Sequence, residues 1–453
     1  MGGFENFFLN SIEPAGILGS LATLPFLIWN SVAHMGSLVV FALAVYLVFH
    51  VGPIAMGPFW VWFLALFRSR VVYGERTRPK IAPNPFVSVV VAGLNEEDSI
   101  AATVTSLLNC GYDNLEIIVV DDGSRDDTVR VAQRVAGQVG TRGNRQKICV
   151  FRVPYNSGRP NALNVGVRMA KGEFVAVIDA DSQVQYGAIH RWVEAFTDPR
   201  IGAVAGNIRV LNPEASLATR FQEVEYASMM TLYTLVMAHL NVLAIIPGQG
   251  GMFRAKAAAS VGWYDSGLGD DTDLTLRLLK ARWKIAACPE AVVYTHVPET
   301  FRGLYRQRRR WMKNRVRIRA SKHHDMLSIR MRYGFFNSVR AFRNLMRLQE
   351  PGILILILIV SFVSDPLIAP YWLPGMMTGA YLFSMIRILF VVMIARDFVG
   401  TPAPRGFAMV PLMPLYNLVL RTAVNVEVFL EGLHLMQYVS YVPRKIWREV
   451  PRW

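Results

Sequence analysis

The sequence predicts an α/β domain with a mainly parallel sheet, held between two groups of membrane-spanning helices. Short β-branched segments alternate with helical segments between residues 82 and 300, and this alternation is typical of such a sheet. Long apolar blocks stand on both sides of that region. The composition agrees, because 53% of the 453 residues are hydrophobic and only 18% are charged, which is too apolar for an ordinary soluble protein.

Two apolar blocks precede the predicted domain, at residues 15–34 and 37–67. Each is long enough to cross a bilayer. The start of the chain lacks the basic segment and small-residue cleavage site of a signal peptide, so we expect about two retained transmembrane helices in residues 1–70. Basic residues between Arg68 and Lys80 follow at once, and they predict that the next domain lies in the cytosol.

Three further apolar blocks, at roughly 352–372, 373–395 and 406–430, predict C-terminal transmembrane helices within 351–435. The third block carries charged residues, which makes it a weak candidate for a simple span. The basic tail at 436–453 is expected in the cytosol. Three outward-starting spans would place that tail outside, so one segment is expected to be re-entrant or interfacial. We therefore expect a multi-pass protein of the plasma (inner) membrane.

The excess of basic residues is concentrated in one segment. The formal net charge is +15, and fifteen of the 48 lysine and arginine residues lie between Phe301 and Arg347. A basic segment beside membrane spans fits the positive-inside rule and anionic headgroups better than it fits nucleic acid. We therefore expect basic interfacial helices at 301–350, with the lipid bilayer as a partner and no nucleic acid.

Within the predicted domain, five short runs rich in β-branched residues read as buried strands: 86–93, 115–122, 148–153, 174–181 and 201–210. Helical stretches lie between most of them, for example at 97–108, 127–137 and 159–170. Ligands of parallel sheets bind beyond the carboxyl ends of the strands. The first strand is followed by "GLNEED" and not by a glycine-rich dinucleotide fingerprint, which disfavours chemistry on a nicotinamide cofactor.

Acidic residues stand at the ends of two of these strands. Asp121 and Asp122 close the second strand, and Asp179 and Asp181 close the fourth as a D-x-D pair. Such pairs can simply cap a loop. Carboxylates at i and i+2 can also address one hard cation, since Mg²⁺ or Mn²⁺ takes one or two carboxylates together with substrate phosphates. The strand-end position favours the metal interpretation. His296 is either an additional metal ligand or acid, or a strand-end histidine with satisfied hydrogen bonds.

A glycine-rich loop at 248–254 comes before an amphipathic helix that begins with Asp270, Asp271 and Asp273. Acidic residues favour a helix N-terminus, and capping is the role expected for Asp273. A carboxylate that is crowded by other acids can instead carry a raised pKa and act as a general base.

The basic segment contains the run "QRRRW" at 307–311. Gln307, Arg310 and Trp311 lie at i, i+3 and i+4, so one helix face presents all three. Arg308 and Arg309 fall off that face, and we expect them to meet lipid headgroups.

Taken in order, these motifs resemble those of the membrane-embedded processive family-2 glycosyltransferases, such as cellulose, hyaluronan, chitin, poly-N-acetylglucosamine and bacterial β-glucan synthases. The resemblance covers residues 86 to about 316. It rests on Asp122, the D-x-D pair, the glycine loop, the acidic pair ending in Asp271, and Q-x-x-R-W. It implies a cytosolic GT-A (nucleotide-diphospho-sugar transferase) domain at 82–300 that uses a UDP-sugar with Mg²⁺ or Mn²⁺.

The resemblance also implies a role for each matching residue. Those expected at the nucleotide-sugar site are Asp121, Asp122, Asp179, Arg159, Gln307 and Arg310. Those expected at the metal are Asp179 and Asp181. Those expected at the acceptor sugar are Gly248, Gln249, Gly250 and Trp311. Asp271 matches the general base, and Asp270 is expected to share or contest that role.

This chain departs from the family pattern at three positions. Gly-Asp-Asp stands where the family has Thr-Glu-Asp, Arg159 stands where many relatives have lysine, and Gln249 stands where threonine is common. Arginine retains a phosphate contact with altered geometry. These departures lie around the donor and the acceptor, so they bear on the identity of the sugar more than on the reaction.

The expected function is therefore an inverting, processive membrane glycosyltransferase. It would polymerise a UDP-sugar onto a growing β-linked polysaccharide and export the product through its own channel, with a β-glucan preferred and poly-N-acetylglucosamine next. Export partners are left open. The first alternative is a non-processive lipid glycosyltransferase of the ceramide glucosyltransferase type, which shares the nucleotide site. The second is a non-catalytic membrane scaffold or transporter, which is expected to have lost some catalytic acids.

Overall fold

The computed structural model describes residues 84–140, 147–265, 269–327 and 404–439, together with 337, 363, 378, 381–386, 388–389 and 392–393. The predicted spans at 15–34 and 37–67 lie outside the described residues, as do most positions of those at 352–372 and 373–395. All helices and strands given below belong to one compact unit, which includes Gly57–Leu348 and Ser384–Trp453.

The strands form one mixed sheet. They are β1 (Val87–Gly93), β2 (Leu115–Asp121), β3 (Lys147–Arg152), β4 (Phe174–Asp179), β5 (Ser182–Val184), β6 (Ile201–Val210), β7 (Gly251–Arg254) and β8 (Lys284–Thr295). Their order across the sheet is β3-β2-β1-β4-β7-β6-β8-β5. The first four are mutually parallel, as are β6 and β8, whereas β7 is antiparallel to both of its neighbours and β5 is antiparallel to β8.

The five predicted strands are all present, and β5, β7 and β8 are additional. The prediction that all five are buried is wrong for β3, which lies at the edge of the sheet with its residues exposed or partly exposed. Strand β7 occupies the second half of the segment predicted as a glycine-rich loop, so the prediction is wrong for 251–254 and the loop is confined to 248–250. Because β7 enters the sheet antiparallel between β4 and β6, and β5 is antiparallel to β8, the sheet is mixed, although the other six strands all run in the same direction, as the sequence predicts.

The helices follow the predicted alternation. They are α1 (Ile100–Leu108), α2 (Thr128–Gly140), α3 (Arg159–Met169), α4 (Ala188–Glu194), α5 (Leu217–Tyr226), a π-helix (Ala227–Tyr233), α6 (Thr234–His239), α7 (Ala255–Ser260), α8 (Asp270–Lys280), α9 (Phe301–Ser321), a 3₁₀ turn (His324–Leu327), α10 (Pro404–Met409), a 3₁₀ turn (Val410–Leu412) and α11 (Met413–Val439).

The central strands are buried on both faces because alternate side chains enter two different hydrophobic cores. Val89 and Val91 of β1 pack in one core with Leu107 of α1 and Trp192 of α4. Val90 points to the opposite face and packs in a second core, to which α3 and α8 contribute. Strands of this kind read as continuous apolar runs, which explains why they could be predicted from the sequence.

A third apolar cluster joins the C-terminal helices to the α/β domain. Val410 and Met413, at the junction of α10 and α11, pack with Phe221 of α5 and Leu304 of α9. The segment Phe407–Phe429 is, among the described residues, the one stretch of helix long and apolar enough to cross a membrane by length and composition. The predicted span at 406–430 therefore coincides with a helix.

Candidate active site

Several of the predicted site residues meet around one guanidinium group. Arg159 lies 2.8 Å from Asp179 Oδ1 and 3.3 Å from Asp271 Oδ1, and it also pairs with Asp270. The same side chain donates a hydrogen bond of 3.1 Å to the carbonyl oxygen of Gly248. The D-x-D motif, the acidic pair and the glycine loop are thus brought together at the end of the sheet.

The ends of two helices place the charged groups of this cluster. Arg159 is the first residue of α3 and follows Gly158, whose φ of 89° is readily adopted only by glycine. Asp270 and Asp271 are the first two residues of α8 and follow Gly269, whose φ is 73°. Carboxylates are favoured at a helix N-terminus. The local sequence therefore directs both acids to the position where α8 begins.

Asp271 has the properties of a general base. Burial, and next the charge of Asp270, raise the pKa of Asp271 to about 7, against the opposing effect of Arg159. A base with a pKa near neutrality is suited to taking a proton from a hydroxyl group. Gly248 approaches this carboxylate so closely that a Cβ atom there would lie 2.6 Å from Asp271 Oδ1. The same Cβ atom would also clash with Nη2 of Arg159, so a larger residue at position 248 would displace the side chains of Arg159 and Asp271.

Tyr264 is a further member of the site that sequence reasoning missed. Its side chain is buried, and burial followed by the charge of Asp271 raises its pKa well above the ordinary value. Two hydrogen bonds with Asn164 hold its backbone, at 2.7 and 3.2 Å. Its hydroxyl group has no hydrogen-bond partner among the described residues. A buried hydroxyl group without a partner is unfavourable.

The two acids that end β2 have different surroundings. Asp121 is fully buried, and its Oδ2 accepts a hydrogen bond of 3.1 Å from the backbone N–H of Ser124 and lies 3.5 Å from Arg152. Its Oδ1 has no hydrogen-bond partner within the described part of the chain. This oxygen is itself buried, so its capacity to accept a hydrogen bond is unused within the described residues.

Asp122, in contrast, holds the loop that leads into α3. Its Oδ1 accepts hydrogen bonds of 2.8 Å from both the backbone and the hydroxyl group of Ser157, and its Oδ2 accepts one of 2.8 Å from the backbone of Gly158. Arg159 follows directly. In this structure Asp122 therefore acts on the site through the position of Arg159.

Asp181 faces a cavity of about 380 Å³ that is also lined by Glu96, Gln183 and His296. Burial, followed by the charge of Asp179, raises the pKa of Asp181, and burial also raises the pKa of Glu96. In the described ranges, no three His, Cys, Asp or Glu side chains converge on a metal position. Mg²⁺ and Mn²⁺ need fewer protein ligands than that, because substrate phosphates and water complete their shells. Hard carboxylate oxygen on an open cavity fits either cation.

The remainder of the glycine loop is packed against the sheet. A Cβ atom on Gly250 would lie 2.5 Å from Ile208 Cδ1 of β6, and the carbonyl oxygen of Gly250 accepts a hydrogen bond of 2.9 Å from Gly206. This glycine therefore has a structural reason to be small. Gln249 is partly buried. Of the three loop residues predicted at the acceptor, Gly248 is the one that touches the acids.

The "QRRRW" run lies within α9. Gln307 Oε1 accepts a hydrogen bond of 2.7 Å from Arg308, Arg310 is exposed, and Trp311 is partly buried and packs against the core that contains Val89 and Val91. No recorded contact between described residues joins Gln307 or Arg310 to the acids around Arg159. Their predicted roles at the diphosphate stay predictions.

The expectation that Arg308 meets lipid headgroups is wrong. Its side chain is only 10% exposed and lies 2.8 Å from Glu225 Oε2 of α5. A buried carboxylate requires a cation partner, and α5 supplies that carboxylate opposite α9. Arg309 pairs with Glu427 of α11, so it too contacts protein, although its side chain is 41% exposed.

The capping role expected for Asp273 is also wrong. The N-cap position of α8 is Gly269, and Asp273 instead accepts hydrogen bonds from Arg277 at 2.8 Å and pairs with His323 at 2.9 Å. Burial opposes ionisation of this carboxyl, but His323 and Arg277 outweigh it and lower its pKa to about 2. Asp273 therefore ties α8 to the segment that follows α9.

Residues 83–314, more than half of the chain, match the family described as glycosyltransferase-like family 2. The chain belongs to this family.

Among curated proteins, a poly-β-1,6-N-acetyl-D-glucosamine synthase of Staphylococcus aureus (strain MSSA476) is 30% identical over 265 residues, which cover 57% of this chain and 62% of the relative. The probable glycosyltransferase YdaM of Bacillus subtilis (strain 168) is 30% identical over 270 residues, with 56% and 63% covered. The chain thus spans less than two thirds of the length of these relatives.

A solved structure with a similar fold is the mannosyltransferase PcManGT of Pyrobaculum calidifontis, in complex with GDP-Man and Mn²⁺. It superposes with a TM-score of 0.56 at 20% identity and covers 80% of this chain and 98% of its own. The predicted GT-A-like α/β fold is confirmed, with a mixed sheet. The predicted membership of glycosyltransferase family 2 is confirmed as well, and this family is one of transferase enzymes.

Proposed function

We propose that this chain is an inverting, processive glycosyltransferase that extends a β-linked polysaccharide from a UDP-sugar. One observation carries the proposal: Arg159 joins Asp179 of the D-x-D motif, Asp271 with its raised pKa, and the loop glycine Gly248. A base, a diphosphate-binding group and a close backbone approach are what transfer from a nucleotide sugar requires. The family match supports the same reaction class.

The proposed reaction is a single displacement. Asp271 takes the proton of the acceptor hydroxyl group, whose oxygen forms a new bond to the anomeric carbon. The bond from that carbon to the diphosphate oxygen breaks, and UDP leaves with the bonding electrons. One displacement inverts the carbon, so an α-linked donor gives a β-linked product. A hydroxyl group has a high pKa, which is why a base within hydrogen-bond reach is needed.

The donor is assigned to the residues that the family resemblance places at the nucleotide-sugar site. The unpaired Oδ1 of Asp121 is suited to accepting a hydrogen bond from a uracil N–H. Arg159, Gln307 and Arg310 would hold the diphosphate through charge-assisted hydrogen bonds. Asp181, with Asp179, would hold Mg²⁺ or Mn²⁺, which when bound neutralises charge on the diphosphate.

The acceptor end of the site is assigned to Trp311, because an aromatic ring suits the apolar face of a sugar. We propose that the growing polysaccharide passes from there into a channel formed by the spans predicted at 1–70 and 351–435, with 301–350 at the membrane interface and 436–453 in the cytosol. The apolar helix α11, which packs against the α/β domain, supports a position at the plasma membrane.

The sugar is proposed from the names of the relatives. The Staphylococcus aureus proteins are named for poly-β-1,6-N-acetyl-D-glucosamine, so UDP-N-acetylglucosamine is the first donor to test. It takes precedence over UDP-glucose, which the sequence alone had favoured.

The test is polymer formation by the purified full chain in lipid nanodiscs with Mn²⁺ and each donor in turn. We expect a high-mass product from one donor, its loss in Asp271→Asn, and normal product from Asp265→Asn, which changes an exposed acid near the start of α8. A product limited to singly glycosylated lipid would replace the proposal with a lipid glycosyltransferase. Absence of donor-dependent UDP release with every UDP-sugar would reject both.

A further inference from the structure

Arg308, which belongs to the "QRRRW" segment, forms a buried ion pair with Glu225 of α5. Arg308 and Glu225 are 10% and 12% exposed, and their charged groups are 2.8 Å apart. The guanidinium carbon of Arg308 lies 4.4 Å from the centroid of the Trp311 ring, and its Nη1 donates a hydrogen bond of 2.7 Å to Gln307 Oε1. One guanidinium group thus contacts both the glutamine and the tryptophan of the Q-x-x-R-W motif.

The carboxylate partner is fixed in turn by the apolar C-terminal helix. Tyr416 of α11 donates a hydrogen bond of 3.1 Å to the same Oε2 of Glu225. The ring of Tyr416 stacks on Phe221 of α5, with centroids 4.6 Å apart and planes inclined by 11°. Burial opposes ionisation of Glu225, but Arg308 outweighs it and lowers the pKa of that carboxyl. The pair is therefore ionic at neutral pH.

An arginine suits this position better than a lysine would. Its planar group can bind a carboxylate along one edge while its face lies against an aromatic ring. A buried ion pair contributes little net stability compared with apolar packing, yet it is strongly directional. These properties favour a role in placing neighbouring side chains over a role in holding the fold together.

We propose that Arg308 and Glu225 are positioning residues that hold the side chains of Gln307 and Trp311 in the orientation needed for glycosyl transfer. We propose further that Tyr416 links this arrangement to α11. The inference rests on the proposed function for the roles of Gln307 and Trp311. The recorded contacts of the pair do not include the acids around Arg159, so its loss should misplace the motif while the general base stays in position.

The kinetic test compares Arg308→Met, Glu225→Gln and Tyr416→Phe with Arg306→Met, which removes an exposed arginine of the same helix. A displacement of about 1 Å can lower a rate about 100-fold, so we expect kcat for transfer to fall about 100-fold in the first two variants. Tyr416→Phe should fall less, because the ion pair remains, and Arg306→Met should match the unaltered protein. Arg308→Lys should recover part of the loss, since it restores the charge without the planar group.

A second measurement reports on position without relying on activity. In protein labelled with 5-fluorotryptophan, the ¹⁹F resonance that disappears in Trp311→Phe belongs to Trp311. We expect this resonance to shift in Arg308→Met and Glu225→Gln and to stay in place in Arg306→Met. Should Arg308→Met fail to fold, Glu225→Gln and Tyr416→Phe decide the question by the same criteria.

The outcomes separate this inference from the proposed function. A resonance of Trp311 that does not move overturns the positioning role, whatever the activity. A moved resonance with unchanged transfer overturns it too. If the unaltered chain transfers no sugar from any donor, the proposed function fails, and the resonance alone decides whether the pair sets the position of Trp311.

Discussion

Replacing Asp270 with asparagine should move the pH dependence of transfer to lower pH. Asp271, the proposed base, acts only when it is ionised, so we expect kcat/KM to rise with pH through its pKa, which is about 7. The charge of Asp270 is the second cause of that raised value, after burial. Asparagine removes this charge with little change in shape. It also leaves Arg159 free to pair more closely with Asp271, which acts in the same direction.

The magnitude follows from the geometry of the shared guanidinium. Both carboxylates contact Nη1 of Arg159, which places their facing oxygens about 6 Å apart or less. At about 6 Å and an effective dielectric constant of about 20, two unit charges repel by about 3 kcal/mol, equivalent to about two pH units. Burial remains in the variant, so we expect the half-maximal point near pH 5 to 6, still above the value of about 3.9 for a free aspartate.

The assay is kcat/KM for UDP release over a range of pH, because this parameter reports the pKa values of the free enzyme. Asp265→Asn removes an exposed acid near the same helix and should leave the profile unchanged. A rising limb that stays near pH 7, or moves upward, would contradict the assignment of Asp270 as the neighbouring charge. An Asp270→Asn protein that is inactive at every pH would make Asp270 itself the base.

Three further predictions test the glycine loop, the metal site and the contact between α8 and the segment that follows α9. Gly248→Ala should reduce transfer about 100-fold, because its Cβ would clash with Arg159 and Asp271 and displace both side chains, whereas Gly137→Ala, whose Cβ meets nothing within 4 Å, should not. Asp181→Asn should weaken Mn²⁺ binding in the presence of UDP at least about tenfold, measured by electron paramagnetic resonance. Asp273→Asn should lower the free energy of unfolding by about 3 kcal/mol, against less than about 1 kcal/mol for Asp265→Asn. Because the pKa of Asp273 is lowered to about 2, this difference should be full above about pH 4 and shrink as the pH falls towards 2.

Four of the strands that the sequence predicts, β1, β2, β4 and β6, are buried on both faces, and this burial leaves a continuous apolar run in the sequence. The fifth, β3, is an exposed edge strand that is recognisable by its β-branched and aromatic residues. Strand β7 escapes this pattern, since it has four residues and begins inside a glycine-rich segment. Strand β8 carries polar residues such as Lys284 and Glu290, and β5 has only three residues. The pattern therefore fails where a strand is short or carries charged residues.

Some residues of the candidate site could likewise be predicted from the sequence, and others could not. Asp179 and Asp271 could be predicted because each ends or begins an element that is itself visible in the sequence. The partner of Arg308 could not, because Glu225 lies 83 positions earlier on a different helix. Helical periodicity indicates which residues share one face of a helix, but it does not indicate which residues of other helices pack against that face. Tyr264 belongs to none of the motifs, and only the folded structure shows that it lies near Asp271.

The contacts of α11 have a practical consequence for recombinant work. The family match ends at residue 314, yet Tyr416 covers the ring of Phe221 and binds Glu225, and Glu427 binds Arg309. A truncated protein that stopped after α9 would expose that ring and leave a buried carboxylate with fewer partners, and exposed apolar surface promotes aggregation. A fragment meant to behave as a folded catalytic unit should therefore retain α11.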